Sequence, residues 1–294
     1  MMGLRAAFAA LLAAMLAAAF AAGAWAHDPQ PIPEPTVVEG ASVRLEGRFT
    51  QGGLILGMAP PGAGIMLGER PVPVAADGRF VIGFGRDHGP EASLSVTLPD
   101  GQSESLALAI VRRDYAIQRI DGLPQAQVTP PPELLARIRA DNALIAEARG
   151  FETPETWFAD GFAWPVIGPI SGVYGSQRIL NGEPRRPHYG VDMAAPTGTI
   201  VAAPAAGIVR LAEDDLYFTG GTVVLDHGYG VTSAFLHMSE VLAVPGQFVA
   251  QGDAIGRVGA TGRVTGAHLD WRINWGATRI DPQLLVPPMP PATQ

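Results

Sequence analysis

Glycine and proline interrupt this chain so often that little of it can be helical. Its 294 residues include 36 Gly and 27 Pro, and most of these separate short apolar runs. An interior glycine costs a helix about 1 kcal/mol and an interior proline about 3 kcal/mol, whereas both suit the turns between short strands. The chain is therefore expected to be mainly β. One segment escapes the pattern. Between Glu133 and Arg149, the residues Leu134, Leu135, Ile138, Leu144, Ile145 and Ala148 recur at near-helical spacing, and Gly150 fits a C-terminal cap. This segment is expected to form a connecting helix with one buried stripe, packed between two domains.

Arg5 precedes an Ala/Leu-rich run from Ala6 to Ala22, and Ala24-Trp25-Ala26 follows. Such a charged start, apolar run and small-residue cleavage site mark residues 1–26 as an export signal, with a mature chain starting at His27. No other stretch is long and apolar enough to span a bilayer, so no transmembrane segment is expected after cleavage. The expected location is periplasmic or cell-envelope. Residues 27–35 form a Pro-rich leader. Residues 36–112 alternate β-like runs such as Ser42-Val-Arg-Leu-Glu-Gly47, Phe80-Val-Ile-Gly-Phe84 and Ser93-Leu-Ser-Val-Thr-Leu98 with turn signals. Ala76-Asp77-Gly78 and Pro99-Asp100-Gly101 are expected as hairpin turns of a small immunoglobulin-like sandwich. Residues 113–163 form a linker containing the helix 133–149. From 164 to 286 short strands return, among them Ile208-Val-Arg-Leu211, Thr222-Val-Val-Leu225, Val231 to Leu236 and Leu269 to Trp275, which suits an antiparallel sheet or barrel. Residues 287–294 are a Pro-rich tail.

The chain has no cysteine, so any metal must be held by His, Asp or Glu. It has no lysine either. All 20 basic residues are arginine and the net charge is −8, which argues against nucleic acid or an anionic membrane as partner.

Chemistry concentrates in three places: His188-Tyr-Gly-Val-Asp192, His237 within Ala234-Phe-Leu-His-Met-Ser239, and His268-Leu-Asp270-Trp271. Together they offer the N and O donors and the proton-transfer groups of a hydrolytic metal site. Gly190 and Val191 next to Pro187 oppose a helix, so a bend feeding a strand is expected, with Gly190 allowing the turn. His268 and Asp270 stand two apart in a strand-like run and share a face. Leu269, Trp271 and Trp275 fall on the opposite face, towards a core. Asp270 has an alternative role, to orient Arg272 or a ring nitrogen. His227, in Asp226-His-Gly-Tyr-Gly230, is expected to stabilise a turn, and His88 to be a solvated loop residue. Arg178, Arg185 and Arg186 flank the first motif and either bind carboxylates or are simply solvated.

The order of these residues, framed by Gly172-Val-Tyr-Gly175, Ala194-Ala-Pro-Thr-Gly198, Ala203-Pro-Ala-Ala-Gly207 and Gly259-Ala-Thr-Gly262, resembles the lysostaphin-type zinc endopeptidases of bacterial cell walls over roughly residues 165–285. The resemblance implies one Zn2+ per chain, with His188 and Asp192 as ligands and His237 and His268 as the catalytic pair. Where that family carries its last histidine ligand this chain has Asp270, whose carboxylate has a similar reach. Two carboxylates would largely cancel the charge of a divalent ion, so weaker polarisation of water is expected. The segments 201–207 and 244–252 also resemble the hammerhead turns of biotinyl and lipoyl carriers. Those carriers attach their cofactor to a lysine, which is absent here, so that likeness concerns fold alone. The implied function is hydrolysis of peptide cross-links in peptidoglycan by an exported enzyme. The alternative is a weak or inactive member that binds cell wall or regulates another wall hydrolase.

Overall fold

Strict alternation along Leu269-Asp270-Trp271-Arg272-Ile273-Asn274-Trp275 organises the architecture. In the computed structural model, which describes residues 32–120 and 129–291, Leu269, Trp271, Ile273 and Trp275 are all buried in the main core. Side chains in a strand alternate between faces, so His268, Asp270, Arg272 and Asn274 look the other way.

The N-terminal part is a sandwich of two antiparallel sheets. One has the order β1-β2-β3-β6, from β1 (Thr36–Glu39), β2 (Arg44–Gly47), β3 (Leu54–Met58) and β6 (Arg79–Gly83). The other has the order β5-β4-β7-β8, from β4 (Gly64–Leu67), β5 (Arg70–Val72), β7 (Glu91–Thr97) and β8 (Ser103–Ala109). Leu45, Ile55, Phe80 and Ile82 from the first sheet are buried in the same cluster as Ile65, Leu94, Val96 and Leu108 from the second. Pro99-Asp100-Gly101 closes the β7–β8 hairpin, where the Gly101 amide donates to Leu98 O at 2.9 Å. Ala76-Asp77-Gly78 does not close a hairpin of paired neighbours. It joins β5 to β6, which lie in different sheets, and so carries the chain across the sandwich.

The linker contributes β9 (Ile117–Ile120), which pairs in parallel with β11 (Gln177–Leu180), and β11 in turn pairs with β12 (Glu183–Pro184). Helix α1 (Leu135–Ala148) follows a 3-10 turn at Pro132–Leu134. It does not pack between domains. Ile145 and Ala148 lie on Leu211, Leu216, Val224, Ala234 and Leu236, the outer face of the large C-terminal sheet, while Leu135 and Leu144 of the expected stripe are exposed. Gly150 is not a left-handed cap, because its φ is not positive. Its amide instead donates to Glu147 O at 2.9 Å.

That large sheet is antiparallel, in the order β10-β13-β21-β17-β16-β15-β19. Its strands are β10 (Ile170–Gly172), β13 (Val191–Ala194), β15 (Gly207–Leu216), β16 (Gly220–Asp226), β17 (Val231–Met238), β19 (Phe248–Val249) and β21 (His268–Trp275), with β22 (Thr278–Ile280) paired to β21. Every residue of β16 and β17 is buried, as expected for central strands covered on both faces. A small sheet of order β14-β20-β18 comprises β14 (Ile200–Ala202), β18 (Glu240–Val241) and β20 (Ala254–Arg257).

The sandwich core continues into the large sheet without a break, since Phe84, Trp275 and Ile280 belong to one cluster. The Arg70 guanidinium sits 3.4 Å from the Trp275 ring centroid. Arg113 pairs with the fully buried Asp281 at 2.7 Å, and Asp281 also accepts from the Gln283 amide at 3.0 Å. Near the ends, Arg48 donates to Pro33 O at 2.7 Å and the Trp164 indole donates to Pro287 O at 2.8 Å. The export signal and His27 lie outside the described residues.

His227, expected to stabilise a turn, is a fully buried core residue. Its Nδ1 meets Ala206 O at 2.7 Å and its Nε2 meets Ser233 Oγ at 2.8 Å, so both ring nitrogens are satisfied. Burial pushes its pKa down to about 4.

Two outcomes are expected. Asp281→Ala strands the Arg113 cation and costs about 3–5 kcal/mol, measured by urea unfolding; a loss under about 1 kcal/mol would mean that the pair does not hold the seam. His227 is neutral when folded and has an ordinary value of 6.5 when unfolded. The unfolded chain therefore binds the extra proton, and stability present above pH 6.5 is lost as pH falls towards 4. The loss is about 3 kcal/mol, and His227→Gln flattens the stability profile over that window. Equal slopes in both proteins would assign the acid sensitivity elsewhere.

Candidate metal centre

Backbone pairing sets the positions of the site residues. His188 precedes β13, where its amide donates to Ser176 O at 2.9 Å and its carbonyl accepts from the Gly175 amide at 2.7 Å. Asp192 lies in β13 directly opposite Asp270 of β21, and Ala194 lies opposite His268. His188, Asp192 and Asp270 are all buried and offer one ligand atom each within 4.8 Å of one another. The His188 Nε2 and Asp192 Oδ1 atoms stand 3.0 Å apart, yet neither makes a hydrogen bond among the described residues.

Gly190 stands at the expected bend that feeds β13, and its small size also serves the site. Its φ is not positive, but a Cβ there would lie 2.4 Å from Asp270 Oδ1 and 2.7 Å from Arg272 Cγ. Gly172 does the same for the neighbouring carboxylate, because a Cβ on it would lie 2.2 Å from Asp192 Oδ2.

Asp270 is also engaged by Arg272. The Arg272 Nε donates to Oδ1 at 3.0 Å and Oδ2 at 3.1 Å, and Nη2 donates to Oδ2 at 2.5 Å. Burial acts to raise the Asp270 carboxyl, but Arg272 and His188 override it and hold the group well below the usual carboxylate range. Asp192 is lowered too: burial and the facing Asp270 oppose its charge, and His188 and His268 together outweigh them. The other Asp192 oxygen receives Arg178 Nη2 at 3.4 Å.

His237 and His268 complete the cluster, with ring centroids 5.0 Å apart. His268 Nε2 lies 4.0 Å from Asp192 Oδ1, and its Nδ1 meets Gly266 O at 2.9 Å. His237 Nδ1 meets Thr261 O at 2.9 Å. A carbonyl can only accept, so each Nδ1 carries the proton and each Nε2 keeps its lone pair. Burial, ahead of the neighbouring charges, pushes His237 down to about 4.

His237 reaches this face through a β-bulge. Phe235 is a core residue, and regular alternation would send residue 237 to the core beside it. Between the pairs Val223↔Phe235 and Gly221↔Met238 the β17 strand holds one residue more than β16, and His237 takes a left-handed φ of 70°. Such a bulge turns a side chain to the other face, and Thr261 clamps it by donating to Met238 O at 2.8 Å and accepting from the Gly221 amide at 2.9 Å.

Some residues at the rim escaped the sequence reading. Arg263 stacks on Phe218 at 4.3 Å, and its pKa is lowered first by burial and then by Arg178 and Arg185. The orienting carbonyls of Thr261 and Gly266 have no side-chain signature, so no pattern could mark them. Of the other expected residues, Arg186 is exposed and His88 is half-buried, with its Nδ1 meeting Gly89 O at 2.8 Å.

Residues 186–282 match peptidase family M23. The peptidoglycan DD-endopeptidase ShyA of Vibrio cholerae is 39% identical over 102 residues, covering 32% of this chain and 24% of that protein. The cell division protein DipM of Caulobacter vibrioides is 30% identical over 169 residues, covering 54% of this chain and 26% of that protein. The chain thus spans about a quarter of the length of these relatives. A crystal structure described as a putative M23 peptidase from Pseudomonas aeruginosa superposes with a TM-score of 0.61 at 30% identity, covering 81% of this chain and 94% of that one. The chain belongs to peptidase family M23, the lysostaphin-type peptidases.

Proposed function

We propose that the protein is an exported zinc-dependent endopeptidase that hydrolyses peptide cross-links of peptidoglycan, with the chemistry in residues 164–286. The observation that carries this reading is the facing pair His188 Nε2 and Asp192 Oδ1, two buried acceptor-capable atoms 3.0 Å apart and without hydrogen bonds, beside the Asp270 carboxylate. Such a pair is stable with a cation between its members. A zinc ion held by His188, Asp192 and Asp270 would supply the Lewis acidity that peptide hydrolysis needs. His237 and His268 each present a basic Nε2 to the cleft, suited to accept a proton from water and return it to the leaving amine. His237 is neutral at pH 7, which keeps that base available. Arg178, Arg185 and Arg263 place positive charge at the rim, where carboxylates of a cell-wall peptide would be held. The name of the Vibrio cholerae relative, a peptidoglycan DD-endopeptidase, supports the substrate class, and Arg5, the run Ala6–Ala22 and Ala24-Trp25-Ala26 support export.

A second reading is favoured by one observation. Arg272 already engages both Asp270 oxygens, as it would in a chain that has lost catalysis and binds cell wall or regulates another hydrolase.

Metal analysis paired with digestion of isolated sacculi separates the two. The parent is expected to hold about one zinc per chain and to release cross-link peptides. His188→Ala loses the metal. His237→Ala keeps it but loses activity by about 10²–10⁴-fold. A parent that binds sacculi yet holds no zinc and releases nothing establishes the second reading.

A further inference from the structure

The two carboxylates of the cluster face each other across β13 and β21, an arrangement that is unfavourable unless a cation relieves it. Arg272 supplies that cation. It stands two residues beyond Asp270 on the same face of β21 and presents a planar fork, with Nε to both oxygens and Nη2 to one. A carboxylate has about four lone-pair positions, so a guanidinium on one side leaves others open towards His188 and Asp192. The backbone entering β13 is shaped around this pair, because a side chain at Gly190 would strike both the Asp270 oxygen and the Arg272 stem. Arg178 reaches the other carboxylate at 3.4 Å from a more exposed position.

We propose that Arg272 is a positioning residue that makes Asp270 an electrically neutral donor, so that a divalent cation held by His188, Asp192 and Asp270 retains a net positive charge. The proposal rests on the zinc reading above. His188 contributes no charge, Asp270 and Arg272 cancel, and Asp192 alone offsets part of the ion's charge. The expectation that two carboxylates would quench the metal is thereby reversed, and the site keeps the polarising power that a single carboxylate with two neutral donors would allow. Asp270 and Arg272 therefore act as one unit and exchange for a neutral ligand only together.

The test is a mutant cycle read by calorimetric titration of Zn2+ into the metal-free full-length protein, with melting of the metal-free form alongside. Asp270→His alone sets an imidazole against an uncompensated guanidinium, and zinc affinity is expected to fall by about tenfold or more. Asp270→His with Arg272→Met removes the stranded cation, and affinity returns to within about threefold of the parent. Arg272→Met alone restores the full charge of Asp270: zinc binds about tenfold more tightly, while the metal-free protein melts at a lower temperature. Arg272→Lys keeps the charge and stays near the parent in both measurements. If Asp270→His alone binds zinc as well as the double variant, or if Arg272→Met weakens zinc, the proposal is overturned. Should Arg272→Met fail to fold, the comparison of Asp270→His with the double variant and with Arg272→Lys still decides. A parent that binds no zinc overturns the zinc reading and this proposal together, whereas a zinc-binding parent with additive variants overturns this proposal alone.

Discussion

Asp192 and Asp270 stand opposite each other on adjacent strands, both shielded from water, and the surrounding structure is arranged to tolerate that contact. His188 lies against one carboxylate, Arg272 grips the other, and Arg178 approaches from the rim. Two positions lack side chains because these groups occupy the space, Gly172 beside Asp192 and Gly190 beside Asp270. Charge at the centre therefore explains features that would otherwise look like local accidents of a glycine-rich sheet. The same pairing ties the site to the fold, since the β13–β21 register that opposes the carboxylates also buries Val191, Met193, Leu269 and Trp271 on the other face. A slip of one residue would expose that core and scatter the cluster at once.

Much of this was legible in the sequence, for a physical reason in each case. Period-two alternation in residues 268–275 identified the core face and the polar face, because burial on one side enforces it. The spacing of His188, Asp192, His268 and Asp270 marked residues that the fold does bring together. Less legible were features that depend on partners distant in sequence. The helix stripe was visible, but not which surface it would cover, and Ile145 and Ala148 settled on the large sheet because Leu211, Val224 and Leu236 offered an apolar face there. The bend at Gly190 is legible from glycine beside Pro187, but the room it leaves for Asp270 and Arg272 depends on a strand distant in sequence. The sequence offers Asp270 and Arg272 as possible partners, yet the charge balance they create depends on Asp192 facing them.

Most of the N-terminal sandwich could have been a free-standing module by composition. The structure instead runs one apolar core from Phe80 through Phe84 to Trp275 and Ile280, and closes the seam with Arg113 and Asp281. Trp275 lies at the end of the strand that carries His268 and Asp270. The sandwich therefore packs against the far end of the strand that carries the site residues.

The bulge at His237 has a further consequence. Residues 231–236 are wholly buried and are constrained by volume and polarity, but the direction of His237 depends on how many residues lie between two ladder pairs. Side chains along this strand can be exchanged for others of similar size without disturbing the imidazole. Removing one residue between Phe235 and Met238 would abolish the bulge that gives His237 its left-handed backbone and its bond to Thr261 O. At this edge of the centre the chain is tolerant of spelling and intolerant of length, so insertions and deletions, rather than substitutions, are the changes that β17 cannot absorb.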